Sequence, residues 1–380
     1  MKLIIFSHQR NDGKRAGREM LSESNSAILQ NLFPGDTISI RLRQPAARNI
    51  VEKFAALRGW IDGLNRETCS DAVDRVRRDA IDIVYIDGSN YGIMAKALKR
   101  ANAGCLIVAF FHNVEAKFFW DAFKTRPTLK ALAVCFANFL AEKQAVKHSD
   151  RLICLNKRDS LLLKRLYGRS ATDILPMYIQ KTDEQTLDPR RVSEEYEDYA
   201  LFVGGAFYAN VSGVRWFAQH VAPYLNRRVV VVGQGFEKYR EELELHANIS
   251  VIGSVESVDE WYSAASFVIA PIFDGSGMKT KVAEAMMYGK PILATPEAFI
   301  GYEDVASDVG VVCRTAEEFM RASNAFDNSI CSFEPARIRH LFEEHYSVDA
   351  ASKRFEALLA ALATQQDVHS PKKGSGKARL

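Results

Sequence analysis

The chain has 380 residues, of which 47% are hydrophobic and 26% charged, with a formal net charge of +3 at pH 7. That length and apolar content fit two domains with separate cores, and the small net charge excludes the basic footprint of a nucleic-acid-binding protein. No apolar run approaches the ~20 residues of a membrane span, which excludes a transmembrane protein built of helices.

Lys2 to Ser7 reads as a first strand, because Met1 to Phe6 is too short for a signal peptide and leads into polar sequence. His8 to Arg18 follows as a basic, glycine-containing loop at the carboxyl end of that strand. It could meet an acceptor or an anionic surface, or be a solvated loop. Thr37 to Leu42 reads as a second strand, and Arg41, Arg43 and Arg48 as a basic surface stretch. Val51 to Arg78 has helical spacing. Ile81 to Ile86 is a strand that meets Asp87-Gly88-Ser89-Asn90, a loop and helix start, and Tyr91 to Arg100 is helical. Cys105 to Phe111 is a continuous apolar strand, as expected of a sheet covered on both faces. It ends in His112-Asn113-Val114-Glu115, and a histidine at a strand's carboxyl end is placed for chemistry, whereas Glu115 could simply cap the next helix. Lys117 to Arg126 interleaves aromatic and cationic residues; this could be an edge that touches a membrane surface, but a core-facing helix is the favoured reading. Ala131 to Ala141 reads as a buried helix, Arg151 to Leu155 as a strand and Lys157 to Tyr167 as its helix. Ile174 to Ile179, broken by Pro176, approaches a domain boundary.

Lys181 to Tyr199 is charged and reads as a connector. The strand–helix pattern then restarts. Ala200 to Val203 meets Gly204-Gly205, Val214 to Leu225 is a helix, Val229 to Val232 meets Gly233-Gln234-Gly235, and Ile249 to Ile252 meets Gly253. Such alternation predicts a second parallel sheet. Gly233-Gln234-Gly235 lacks the third glycine of a dinucleotide fingerprint, since Lys238 stands there, so a nicotinamide cofactor is weakly supported.

Phe267 to Ile272 is a buried strand, Asp274-Gly275-Ser276-Gly277 a turn, Met278 to Tyr288 a helix and Ile292 to Thr295 another strand. A helix that starts at a glycine loop presents free N–H groups and a partial positive charge, which is an anion site. Lys279 and Lys281 put full positive charge in that first turn, where it is unfavourable for the helix unless an anion joins it. Glu284 lies on the same face as Lys281. Phosphate beside a cation, with a carboxylate one turn deeper for a ribose diol, suits a nucleotide.

The segment GSGMKTKVAEAMMYGKP, followed by EAFIGYE, resembles the donor-binding segment of bacterial family 4 (group 1) glycosyltransferases. FVGGAFYANVSGVRWF, SDRLICLNKRDSLLLKRLYG and the His112-Asn113 pair resemble further parts of that family. The resemblance implies an α/β protein of GT-B architecture, with two Rossmann-like domains whose parallel sheets face a central cleft. The implied division is an acceptor-side domain over 1–182, a linker over 183–199, a nucleotide-sugar domain over 200–345, a helix over 346–365 that packs back on the first domain, and a disordered basic tail over 366–380. It also implies that the glycine loop and a nearby lysine hold a diphosphate, that Glu284 holds the ribose, that His112 faces the donor sugar, and that the 253–255 backbone meets the base. The expected donor site is Gly204, Gly205, Gly253, Val255, Gly275, Ser276, Gly277, Met278, Lys279, Lys281 and Glu284, with His112 and Glu284 as the catalytic pair and no metal. One departure is that Gly204 to Asn210 contains no Arg or Lys, so Lys281, with Lys279, must supply the charge that relatives place there.

The expected activity is transfer of a sugar from a nucleotide-sugar substrate, without a cofactor and with retention of anomeric configuration, to a glycan or lipid-linked acceptor. Expected partners include no nucleic acid. The expected place is the cytoplasm, with contact to the inner membrane face left open. Two alternatives stand beside it. A nucleotide-sugar epimerase would need cleft carboxylates, of which the sequence shows no clear pair. A non-catalytic nucleotide-sugar-binding subunit would not need Lys281, Glu284 and His112 together. The six cysteines are scattered without a C-x-x-C and are expected to be reduced core residues.

Overall fold

The computed structural model describes residues 1–9, 17–43, 50–181, 190–246, 248–327 and 333–369. Most of the loop expected at 8–18, Arg48, most of the connector before 190, Cys331 and the tail from 370 lie outside the described residues.

Strands β1 (Leu3–Gln9), β2 (Thr37–Arg43), β3 (Ile83–Asp87), β4 (Leu106–Phe111), β5 (Arg151–Cys154) and β6 (Asp173–Ile174) form one sheet in the order β2-β1-β3-β4-β5-β6, with every pairing parallel. The interior strands are buried on both faces, which is why β3 and β4 read as apolar runs without alternation. A second parallel sheet holds β7 (Tyr199–Val203), β8 (Arg228–Val232), β9 (Ile249–Gly253), β10 (Phe267–Ala270), β11 (Ile292–Ala294) and β12 (Gly310–Val312), in the order β12-β11-β10-β7-β8-β9. The order reverses between β1 and β3 in the first sheet and between β7 and β10 in the second. In doubly wound sheets the crevice beyond those carboxyl ends is where ligands bind. The loop after β3, with that after β4 beside it, and the loops after β7 and β10 in the other domain therefore position the site.

Several expected elements are corrected. The helical run from Val51 to Arg78 is two helices, Ile50–Ala56 and Arg66–Arg78. Gly59, Asp62 and Gly63 between them take positive φ, and Asn65 caps the second helix by accepting a hydrogen bond from the Thr68 N–H. β6 stops at Ile174, before Pro176, which lacks the N–H a strand would need. The helix expected from Val214 begins earlier, at Tyr208, and ends at His220. The aromatic helix Glu115–Thr125 does not face the core. Phe118, Phe119 and Phe123 are half-buried, Trp120 is 42% exposed, and the buried residues are Glu115 and Ala116 in its first turn. The next helix, Leu129–His148, buries Cys135, Ala137, Asn138 and Ala141 but leaves Leu129, Leu132 and Phe136 exposed.

The domains touch along the crevice. The Ser276 hydroxyl donates to Asn113 Oδ1 at 3.3 Å, Arg158 pairs with Glu297 at 2.7 Å, and the Met177 N–H reaches the Met278 sulfur at 3.3 Å. Ile179 bridges to Ser347, where the chain returns to the first domain as the helix Val348–His369. Phe355 of that helix meets Tyr85 of β3 edge to face, with ring centroids 6.1 Å apart. Cys69, Cys105, Cys135, Cys154 and Cys313 are free and buried.

Candidate active site

Two glycine loops of the second domain meet at its switch point. After β7, Gly204 has a φ of 154° and its carbonyl lies where a Cβ on Gly233 would stand, 2.0 Å away, so the loops after β7 and β8 pack backbone to backbone. After β10, Gly275 and Gly277 take φ values of 129° and 64°. A Cβ on Gly277 would fall 2.5 Å from the Asn113 carboxamide oxygen and 3.5 Å from the His112 carbonyl. The Gly-Ser-Gly loop thus rests directly on the strand end of the other domain, and any side chain at Gly277 would hold the two apart.

The helix after that loop spans Thr280–Met287, not Met278 to Tyr288, with Lys279 at its N-cap in extended conformation. Lys279 is consequently outside the helix. Its ammonium donates to the Gly277 carbonyl and to Glu297 Oε1, each at 3.1 Å. Glu297 also receives Arg158 from the first domain, so Lys279 closes the glycine loop and joins an ion cluster that spans the crevice. Burial lowers the Lys279 pKa, against the pull of Glu297.

Lys281, the second residue of the helix, is buried. Its ammonium stands 4.1 Å from the centre of the Phe202 ring and donates to Asn210 Oδ1 at 2.9 Å, while Asn210 donates to the Gly205 carbonyl at 2.8 Å. It therefore stands beneath the loop that lacks a cation of its own: a Cβ on Gly204 would be 3.1 Å from the ammonium. Burial pulls the Lys281 pKa down to about 7, with Glu284 opposing. A buried cation with one neutral hydrogen-bond partner and a ring face is under-neutralised, which an incoming anion would relieve. Glu284 accepts from the Tyr262 hydroxyl at 2.6 Å through Oε2, and its other oxygen has no hydrogen bond among the described residues. Tyr262 is held in turn by stacking on Tyr288, with centroids 5.3 Å apart. Burial raises the Glu284 pKa, opposed by Tyr262 and Lys281.

The turn after β8 carries a residue that the sequence did not single out. Glu237 accepts from the Ser254 N–H at 2.6 Å and from the Gly235 N–H at 2.7 Å, tying the glycine turns after β8 and β9 together. In the expected base-contacting segment, Ser254 has its N–H engaged in this way, and Val255 follows it, half-buried.

Across the crevice, His112 is buried, and its Nε2 lies 3.0 Å from Asp87 Oδ1. Asp87 ends β3 and was read as an ordinary loop residue. It also accepts from the Ser22 hydroxyl and from Asn25, whose carboxamide oxygen takes the Tyr178 hydroxyl at 2.7 Å. Burial pushes the Asp87 carboxyl up, but His112 and Ser22 outweigh it and hold it below its ordinary value. A carboxylate that accepts from Nε2–H fixes the imidazole tautomer and leaves Nδ1 to act. His112 Nδ1 is buried without a partner among the described residues. The only signal for Asp87 in the sequence was its place at a strand end. Glu115, 3.6 Å from Arg18, is buried, and burial raises its pKa against the pull of Arg18. Glu115 does not cap its helix; Glu142 does, accepting from the Glu115 and Ala116 N–H groups at 2.8 and 3.0 Å. Asp87 and Glu115 are a carboxylate pair beside His112 that the sequence did not reveal.

Two doubly wound sheets facing one crevice, with the last helix returned to the first domain, define the GT-B fold. Residues 197–326 match the family described as glycosyl transferases group 1. That match lies within the second domain. Three solved structures share the fold over nearly the whole chain. Sucrose-phosphate synthase from Thermosynechococcus elongatus has a TM-score of 0.70 at 14% identity, over 96% of this chain and 100% of that one. Alr3699/HepE of Anabaena, solved with UDP, has a TM-score of 0.68 at 13% identity, over 95% and 100%. WaaG, a glycosyltransferase involved in lipopolysaccharide biosynthesis, has a TM-score of 0.58 at 17% identity, over 98% and 100%. No curated protein sequence matches the chain.

Proposed function

We propose that the protein transfers a sugar from a nucleoside diphosphate sugar to a hydroxyl of a glycan or lipid-linked acceptor in surface polysaccharide or glycoconjugate synthesis, retaining anomeric configuration. The carrying observation is the under-neutralised Lys281 beneath the Gly204 loop, with the Glu284 carboxylate one turn deeper. Lys281 and the free N–H groups at the start of Thr280–Met287 would stabilise charge on the leaving diphosphate, a role that needs no metal. Glu284 Oε1 would accept from the ribose diol. Alr3699/HepE, whose structure holds UDP, supports a nucleotide in this crevice. The sugar would project toward His112, where Nδ1 is free to accept from one of its hydroxyls. The acceptor hydroxyl would attack the anomeric carbon on the face the diphosphate leaves, and the leaving phosphate would take its proton.

The test is a panel of nucleoside diphosphate sugars with acceptor extracts. Acceptor-dependent release of free nucleoside diphosphate supports transfer, and no turnover of any donor sinks it. An epimerase would isomerise the donor with no acceptor present. Asp87 and Glu115 supply the carboxylates that such a reaction needs, but the first is spent on His112 and Ser22 and the second faces Arg18. Transfer is therefore the better reading. Among the described residues no helix is long and apolar enough to cross a membrane; the proposed place is the cytoplasm, at the inner membrane face when the acceptor is lipid-linked.

A further inference from the structure

The first domain holds an unassigned cavity of 810 Å³ between the end of β2 and the helices Ile50–Ala56 and Arg66–Arg78. Its walls are of two kinds. Phe54, Trp60 and Leu64 form an apolar surface, while Arg43, Arg58 and Arg66 stand around it against a single lining carboxylate, Glu52. Phe54 is 66% exposed and Val51, one turn before it, 76% exposed, an arrangement that costs free energy in water and that an apolar ligand would relieve. Guanidinium groups around an apolar trough complement an anion attached to a hydrocarbon, and their planar fork suits phosphate.

The cavity is joined to the site already described. The turn between its two helices packs on the end of β2 so closely that a Cβ on Gly63 would lie 2.2 Å from the Arg43 carbonyl oxygen. In the same turn Asp62 accepts a hydrogen bond from Asn90, which follows Asp87 at the end of β3. Asp87 holds His112. The trough therefore starts at an exposed apolar helix and is linked through Asp62, Asn90 and Asp87 to the imidazole that would face the donor sugar. We infer that this trough binds the acceptor, and that the acceptor is an amphiphile, a hydrocarbon chain joined through phosphate to the group that bears the attacking hydroxyl, seated with its chain on Phe54 and Trp60 and its phosphate among the arginines. The inference rests on the transferase reading and narrows its acceptor class to the lipid-linked one.

The test uses the full-length protein and farnesyl phosphate below its micelle concentration, with binding measured by titration calorimetry. Farnesyl phosphate should bind saturably, with farnesol and inorganic phosphate each at least about tenfold weaker, because each keeps only one of the two interactions. Phe54→Asp and the double variant Arg58→Glu/Arg66→Glu should each weaken farnesyl phosphate at least about tenfold. Both change exposed side chains, and both should bind nucleoside diphosphate as the wild type does, which serves as the folding control. Equal binding of farnesol and farnesyl phosphate, or undiminished binding by both variants, overturns the inference. So does adsorption to phosphatidylglycerol vesicles that is indifferent to farnesyl phosphate in them, which would make the face a membrane-docking surface only. If nucleoside diphosphates bind and farnesyl phosphate does not, the trough fails and the donor site stands. The reverse result leaves the trough and removes the donor reading.

Discussion

On the proposed reading, Lys281 makes donor binding a proton-linked event. In the free protein burial holds its pKa at about 7. A bound diphosphate favours the ammonium and raises that value. The sign follows directly. Below pH 7 the lysine is already charged and binding takes up no proton there. Above pH 7 the neutral amine must be protonated as the diphosphate enters, so affinity falls as pH rises, approaching tenfold per unit. At pH 8 only about a tenth of the free protein carries the charge, so binding should take up ~0.9 proton and the apparent Kd should be about fivefold above its value at pH 7, ~1 kcal/mol. The ligand does not confuse the count, because a terminal phosphate with its second pKa near ~6 is already ionised at pH 8. Titration calorimetry of a nucleoside diphosphate in two pH 8 buffers of different ionisation enthalpy reads the uptake. Lys281→Ala should bind weakly and with no uptake. Affinity independent of pH in the wild type, or the same uptake in Lys281→Ala, would refute the reasoning. The same shift makes this lysine a destabilising group in the free protein near neutrality, and its penalty should fade as pH rises from about 7 toward the ordinary lysine value.

Glu284→Ala should weaken nucleoside diphosphate binding about tenfold or more, the worth of charge-assisted bonds to the ribose, and a 2′,3′-dideoxy nucleotide should be indifferent to it; equal weakening of both ligands would assign the carboxylate to Tyr262 alone. His112→Ala should lower transfer at least ~10²-fold in kcat while diphosphate binding by titration is unchanged, and transfer near the wild-type rate would remove it from the mechanism. Asp87→Asn should lower kcat about tenfold or more and shift the His112 ring-nitrogen resonances away from the Nε2–H tautomer; unchanged resonances would reduce Asp87 to a packing role. Gly213→Ala would put a Cβ 1.9 Å from the Pro271 carbonyl oxygen, so thermal unfolding should report a loss of about 1–3 kcal/mol, and an unchanged melting temperature would show that the helix can move away.

What was legible in the sequence depended on range. The strands were, because buried parallel strands are continuous apolar runs and each ended at a glycine or polar turn, as β10 does at Asp274-Gly275. The glycine loop that opens a helix was, because Gly-Ser-Gly, two lysines and a glutamate lie within ten positions of one another. Asp87 was not, because its partners Ser22, Asn25 and His112 come from three other segments and only the parallel register brings them together. The division of labour between Lys279 and Lys281 was hidden as well. Their spacing puts both in one turn, but the helix starts at Thr280, so one side chain turns out to Glu297 and the other in to Asn210. The aromatic helix Glu115–Thr125 misled for a related reason: Phe and Trp at helical spacing look like a core face, whereas here they edge a surface.

The return of the last helix has a practical meaning for anyone dividing this protein. Phe355 reaches Tyr85, and Val348–His369 lies along Gly17–Leu32, so part of the first domain's hydrophobic interior is supplied by the far end of the chain. Cut after the connector, the first half would be left with a bare apolar seam and should be recovered from inclusion bodies rather than solution. A fragment ending near Lys181 becomes workable only when residues 346–369 are returned to it, by fusion or as a separate peptide. The two halves can be studied alone only if the second gives up its terminus to the first.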